Sequence, residues 1–150
     1  SKCTELGADC IVPVIFERTV KQASGKSTER YRKLAIAASK QCGRIFLPEI
    51  TNPLSLEECL EYLKKSYPTL KIVFGGFGSD SVFAGDIEND TSDIAVFIGP
   101  EGGMTDKDIE KLEKNSATKV SLTSTILRTE TASIAFASLF CSKRDAKTRN

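Results

Sequence analysis

The chain has 150 residues, 40% of them hydrophobic, which allows one respectable core and leaves too little for a second full domain, so residues 1–150 read as a single domain. Its 21 basic and 20 acidic side chains leave a net charge of +1, which excludes a molecule-wide field that would gather nucleic acid; any such site must be a local patch. With no histidine, and with five scattered cysteines (Cys3, Cys10, Cys42, Cys59, Cys141) that form no C-x-x-C pair, a zinc site, a disulfide framework and the usual neutral-pH proton carrier are not expected.

No stretch approaches the roughly 18 apolar residues of a membrane span, and the first residues lack a signal-peptide core. The default is a cytoplasmic, reducing setting with no membrane partner. Taken in chain order, Lys2 to Leu6 reads as the end of a helix already under way, and Ser1 in place of methionine suggests an excerpt. Ile11 to Phe16 is an apolar run of strand length. Tyr31, Leu34, Ala35, Ala38 and Cys42 then recur at helical spacing, with Gly43 placed where a helix end wants a left-handed residue. Arg44 to Leu47 is read as a second strand.

Ser55 followed by Glu58 is a capping box, opening a helix that buries Leu56, Leu60 and Leu63 and stops near Pro68. Leu70 to Phe74 is the next strand. Gly75 to Asp93 is rich in glycine, serine and aspartate, so it reads as an irregular connection with little to bury. Ile94 to Ile98 is a strand, Thr105 with Asp108 starts a helix through about Asn115, and Lys119 to Leu122 is a last strand. A final helix begins at Thr129 or Glu130 and turns Ala132, Ala135, Phe136, Leu139 and Phe140 to the core. Strands alternating with amphipathic helices predict an α/β fold with a mostly parallel sheet flanked by helices.

Local basic patches occur at Arg30, Arg32, Lys33, Lys40 and Arg44, and at the tail Lys143, Arg144, Lys147 and Arg149. A solvated helix face and a frayed terminus would account for the same residues.

Two turns carry chemistry. Residues 98–103, IGPEGG, lie directly after a strand and before a helix, where α/β sheets bind ligands. Gly99, Gly102 and Gly103 allow close backbone approach, Pro100 stiffens the turn and Glu101 projects from it. Neither a P-loop nor a G-x-G-x-x-G fingerprint is present. Residues 122–132, LTSTILRTETA, again join a strand to a helix; Ile126 and Leu127 offer apolar surface in a loop that would need a partner to cover it. Arg128 and Glu130 flank Thr129, which also suits an N-cap with a surface ion pair.

IGPEGG followed by ILRTETA resembles the paired C-terminal motifs of the bacterial 16S rRNA uridine-N3 methyltransferases of the SPOUT superfamily. KCTELGAD at 2–9, ERTV at 17–20 and ERYRKLAIAASKQCGRIFLPEI at 29–50 are similar to that family's other stretches, so the likeness spans nearly the whole chain. The resemblance implies a C-terminal deep trefoil knot, an exception to the rule against threaded chains. It implies a homodimer, 16S ribosomal RNA or the small ribosomal subunit as partner, and S-adenosyl-L-methionine as methyl donor. By position, the donor would meet Phe74, Gly75, Ile98, Gly99, Pro100, Gly102, Gly103, Leu122, Thr123, Ile126 and Leu127. Arg30, Gln41 and Arg44 would face RNA.

For the chemistry, Arg128 would stabilise negative charge spreading onto O2 and O4 of the uracil, with Glu130 or Glu101 positioning it. Glu101 is the candidate proton acceptor, a role that requires the site to desolvate it. Two departures stand out. Thr123 replaces a family glycine, and the family's N-terminal PUA-type domain and first strand are not in this sequence. Other readings are a SPOUT enzyme acting on a ribose 2′-hydroxyl and a non-catalytic RNA-binding or ribosome-assembly module.

Overall fold

The computed structural model describes residues 1–20, 25–88 and 93–148; Arg149 of the tail patch and residues 89–92 of the glycine-rich connection lie outside them. Every described strand pairing is parallel. After a short helix α1 (Lys2–Glu5), β1 (Cys10–Ile11) pairs with β3 (Glu49–Ile50), and β2 (Val14–Ile15) pairs with β4 (Leu54–Ser55). The predicted single strand Ile11 to Phe16 is thus two short ones, broken at Pro13, which has no N–H to donate; its carbonyl accepts from Leu54 N at 3.0 Å.

A four-stranded sheet follows, in the order β6 (Val82–Phe83), β8 (Thr118–Ser121), β5 (Lys71–Gly75), β7 (Ile94–Phe97). Its strands β5 and β7 read as apolar runs because both faces are covered, whereas β8 is half polar and β6 is exposed at the edge. On one face Ile72, Phe74 and Phe97 pack with Leu56, Leu60 and Leu63 of α3 (Leu56–Ser66) and Leu112 of α4 (Asp106–Lys114). On the other, Val73 and Val120 pack with Phe136 and Phe140 of α5 (Thr129–Thr148), whose rings stack at 6.2 Å. Both predicted capping boxes are present: Ser55 and Glu58 exchange side-chain to backbone bonds at the start of α3, and Thr105 and Asp108 do so at α4.

Three expectations need correction. Arg44 to Leu47 is not a strand; Ile45, Phe46 and Leu47 are 87%, 73% and 55% exposed, and pairing begins only at Glu49, beyond buried Pro48. In α2 (Gly25–Cys42) the buried stripe is Thr28, Ala35, Ala38 and Ser39, while Tyr31, Leu34 and Cys42 face outward. Small residues are buried there because α1 packs closely on α2. The connection after β5 is not wholly irregular, since Val82–Phe83 joins the sheet edge and Ala84 is fully buried.

Gly43 has φ +73, the left-handed helix end expected of it. All five cysteines are free, and burial pushes the Cys59 thiol up to about 12. Burial also raises the thiols of Cys3, Cys10 and Cys141, so none of these four is an activated nucleophile. Among the described residues no helix is long and apolar enough to cross a membrane.

Candidate functional site

The carboxyl ends of β5, β7 and β8 lie side by side, and the loops leaving them enclose a cavity of about 680 Å³. This is the size of a cofactor site, and the end of the sheet from which such folds bind ligands. Phe74, Val120 and Phe136, each nearly fully buried, form its floor. The two turns singled out in the sequence therefore meet. Ile98, Gly99, Pro100, Glu101 and Gly103 line one side; Leu122, Thr123, Ile126, Leu127, Arg128 and Glu130 line another; Phe74 and Gly75 contribute from β5.

The first turn is held locally and at long range. Gly103 N donates to the Pro100 carbonyl at 2.8 Å, and Gly103 takes φ +75, a backbone state that costs a side chain but not glycine. Gly102 does not line the cavity. A Cβ there would lie 3.3 Å from Cβ of Arg18, whose Nη1 donates to the Gly102 carbonyl at 3.2 Å. Arg18, the basic residue of ERTV, thus braces the turn, a task with no local signal because it comes from 84 residues away.

The second turn is anchored to the first. Thr129 Oγ1 donates to the Gly99 carbonyl at 3.0 Å, so this hydroxyl joins the two motifs. Among the described residues no ion pair joins Arg128 to Glu130. Arg128 is exposed at the mouth of the cavity, and its carbonyl accepts from Ala132 N at 2.8 Å, which fixes its backbone at the start of α5. Thr123 Oγ1 donates to the Thr125 carbonyl at 2.8 Å and accepts from Thr125 N at 3.3 Å. Among the described residues Ser116 is the only non-glycine with positive φ, so Thr123 is accommodated without left-handed strain.

Glu101 and Glu130 are exposed and line the same cavity as Arg128. Desolvation of Glu101 would have to come from a ligand laid over the opening. Lining residues that sequence reasoning passed over include Gly76, Phe77, Met104 and Lys119. Their signal was weak because all four lie outside the two motifs.

The basic residues assigned to RNA are elsewhere. Arg30, Gln41 and Arg44 belong to α2 and the loop after it, and none lines the cavity. Arg30 and Gln41 are exposed, but the Arg44 guanidinium is mostly buried and donates to the carbonyls of Thr4 and Ala8 and to Asp9. Lys33 pairs with Glu29. In the tail, Arg144 reaches Asp9 and the Gly7 carbonyl, and Lys143 donates to the carbonyls of Gly85 and Ile87. The tail is thus helical through Thr148 and docked at Lys143 and Arg144. Among the described residues no cluster of three or more side chains could hold a metal ion.

Comparison with known proteins adds to this geometry. A family model described as an RNA methyltransferase domain matches residues 1–141. The ribosomal RNA small subunit methyltransferase E of Aquifex aeolicus is 29% identical over 140 residues, 92% of this chain and 58% of that protein. The protein of the same name from Synechocystis is 32% identical over 133 residues, 87% of this chain and 43% of the other. Among solved structures, a Legionella pneumophila methyltransferase with bound S-adenosylmethionine superposes with a TM-score of 0.83 at 31% identity, covering 94% of this chain and 58% of that one. The ribosomal RNA small subunit methyltransferase E of Neisseria gonorrhoeae, bound to S-adenosyl methionine, gives 0.81 at 31% identity, covering 94% and 57%. The chain therefore spans 43% to 58% of the length of these relatives.

Proposed function

Because this chain belongs to the RNA methyltransferase domain family, we propose that it transfers a methyl group from S-adenosyl-L-methionine to N3 of a uridine in 16S ribosomal RNA. The single observation that carries the reading is the convergence of residues 98–103 and 122–130 on one cavity, tied by Thr129 to Gly99.

The residues present suit the donor. The cavity has cofactor size, an apolar floor, and turns whose backbone can approach a ligand closely. Ile98, Leu122 and Leu127, all partly buried, would shield it, and Ile126, 82% exposed, would close over it. When bound, the donor supplies an electrophilic methyl group.

The chain's own residues supply the rest. Arg128 places a permanent planar cation at the mouth, where the charge that N3 deprotonation spreads onto O2 and O4 needs stabilising. Glu101 at the same mouth accepts the N3 proton once covering RNA excludes water, and Glu130 or Glu101, neither of them paired with Arg128 among the described residues, would position it when RNA binds. Arg30 and Gln41, exposed on α2, are assigned to the RNA backbone.

The same reading includes a C-terminal trefoil knot and a homodimer, as the family resemblance implies, and the cytoplasmic setting taken as the default. An experimental structure tracing residues 98–148 tests the knot, and sedimentation at high concentration tests the dimer, which a strict monomer would rule out.

Calorimetry with S-adenosylmethionine is expected to show one site per chain, and incubation with 16S RNA or small subunits to yield 3-methyluridine by nucleoside mass analysis. No donor binding would sink the proposal. Donor binding with methylation of a ribose instead would move the target to the 2′-hydroxyl.

A further inference from the structure

Phe77 is 53% exposed, yet it stands on a restrained loop at the cavity. Gly76 N donates to the Val120 carbonyl at 2.9 Å, and the backbone N and the hydroxyl of Ser81 both donate to the Gly78 carbonyl, at 3.2 and 2.7 Å. Lys119 straps the loop to β8. Its ammonium donates to both Asp80 carboxylate oxygens at 2.9 Å. Its stem lies so close over Gly76 that a Cβ there would meet Lys119 Cε at 2.5 Å and Cγ at 2.6 Å. A side chain at 76 would thus displace the Lys119 stem.

Phe77 sits between Gly76 and Gly78, so its chain neighbours bring no side chain to cover the ring. A half-exposed phenylalanine on a braced loop gains little from folding, and a planar ligand would supply the missing contact. The floor of the cavity is apolar and closed, whereas Phe77 shares the open mouth with Arg128, Glu101 and Glu130. A ring entering from solvent reaches this mouth before anything below it. Unpaired RNA bases are recognised by stacking on aromatic side chains combined with polar contacts at their edges.

Building on the methyl-transfer reading above, we infer that Phe77 is the stacking platform for the accepting uracil, held in place by the Lys119–Asp80 strap while Arg128 engages the edge of the base. Phe77 is then a substrate-binding residue, and Lys119 and Asp80 are positioning residues.

The chain has no tryptophan, so Phe77→Trp introduces a single indole whose fluorescence reports stacking. At saturating S-adenosylhomocysteine, a uridine-bearing single-stranded oligoribonucleotide is expected to quench it, and the same oligonucleotide with an abasic site in place of the uridine is not. Phe77→Ala is expected to weaken oligonucleotide affinity about 5- to 100-fold, the usual range for one lost stack, with donor affinity unchanged within about two-fold and Phe77→Tyr close to the parent.

Quenching by S-adenosylhomocysteine alone, or equal losses of donor and RNA affinity in Phe77→Ala, would overturn the assignment by placing the donor's adenine against Phe77. Donor binding with no response to the uridine oligonucleotide would also overturn it and leave the methyl-transfer reading standing. Uridine-dependent quenching in a chain that binds no donor would support Phe77 as a base platform and remove the methyl-transfer reading.

Discussion

Arg128→Ala is expected to lower the single-turnover rate of methyl transfer at saturating donor by about 10²–10³-fold, the usual loss when one charge-stabilising group is removed. Donor affinity should change little, because the side chain stands at the exposed mouth of the cavity and not on its apolar floor. The backbone there is fixed by the Ala132 N to Arg128 carbonyl bond, which the substitution leaves intact, so a fall in rate cannot be ascribed to a lost helix start. Arg128→Lys keeps the charge and loses the planar fork, so it should recover only part of the rate. Glu101→Gln in the same assay separates a proton acceptor from a bystander: a rate that is lost at neutral pH and regained as N3 itself ionises at higher pH marks the acceptor. Retention of rates within a few-fold by both Arg128→Ala and Glu101→Gln would dismiss both assignments.

The second large effect is on stability. Arg44→Ala should destabilise the fold by about 1.5–3 kcal/mol, the cost of losing charge-assisted bonds from a mostly buried guanidinium. For a chain of this size that is a fall in Tm of about 3–12 °C. The reason is local and specific. Arg44 donates to the carbonyls of Thr4 and Ala8 at 3.2 and 2.6 Å and to Asp9 Oδ1 at 2.8 Å, while Arg144 of α5 holds the other Asp9 oxygen at 2.6 Å and the Gly7 carbonyl at 3.1 Å. Two cations distant in sequence therefore converge on the turn of KCTELGAD, and removing Arg44 takes the side-chain donor from the Ala8 carbonyl and leaves the Thr4 carbonyl with Gly7 N alone. Thermal unfolding followed by circular dichroism measures this. An unchanged Tm together with a lost, salt-dependent RNA affinity would instead make Arg44 a phosphate contact. Because Arg44 and Arg144 share Asp9, each single variant relieves their mutual repulsion and leaves Asp9 one cation, so the double variant should lose more than the two single losses added together.

Much of the architecture was legible because its signals are local. Ser55 with Glu58 and Thr105 with Asp108 start α3 and α4 where the capping pattern put them, since each box is completed within four residues. The strands at 70–74, 94–98 and 119–122 read correctly to within a residue or two, the first two because runs covered on both faces have no alternative to being apolar. The same logic misled at Arg44 to Leu47. Ile45, Phe46 and Leu47 have strand-like composition, but a strand also needs a neighbouring backbone, and β1 offers one only from Glu49 onward. In α2, helical spacing gave the right element and the wrong face, because Tyr31 and Leu34 are apolar enough to be core while the close approach of α1 admits only small residues.

At the site, IGPEGG and ILRTETA marked themselves through glycine, proline and charge in strand-to-helix turns, properties that neighbouring residues determine. What no neighbour determines is which distant group completes each turn. Arg18 bracing Gly102, Thr129 reaching Gly99, Lys119 strapping the Phe77 loop, and Arg44 turned inward to Asp9 all depend on chain closure across tens of residues. From sequence alone, then, came the kinds of element, the turns able to hold a ligand and the family they resemble. The tertiary structure decided which cations hold the fold together and which stand at the cavity mouth, because a charged side chain takes its role from the partner that folding brings within about 3 Å, and the sequence pattern does not name that partner.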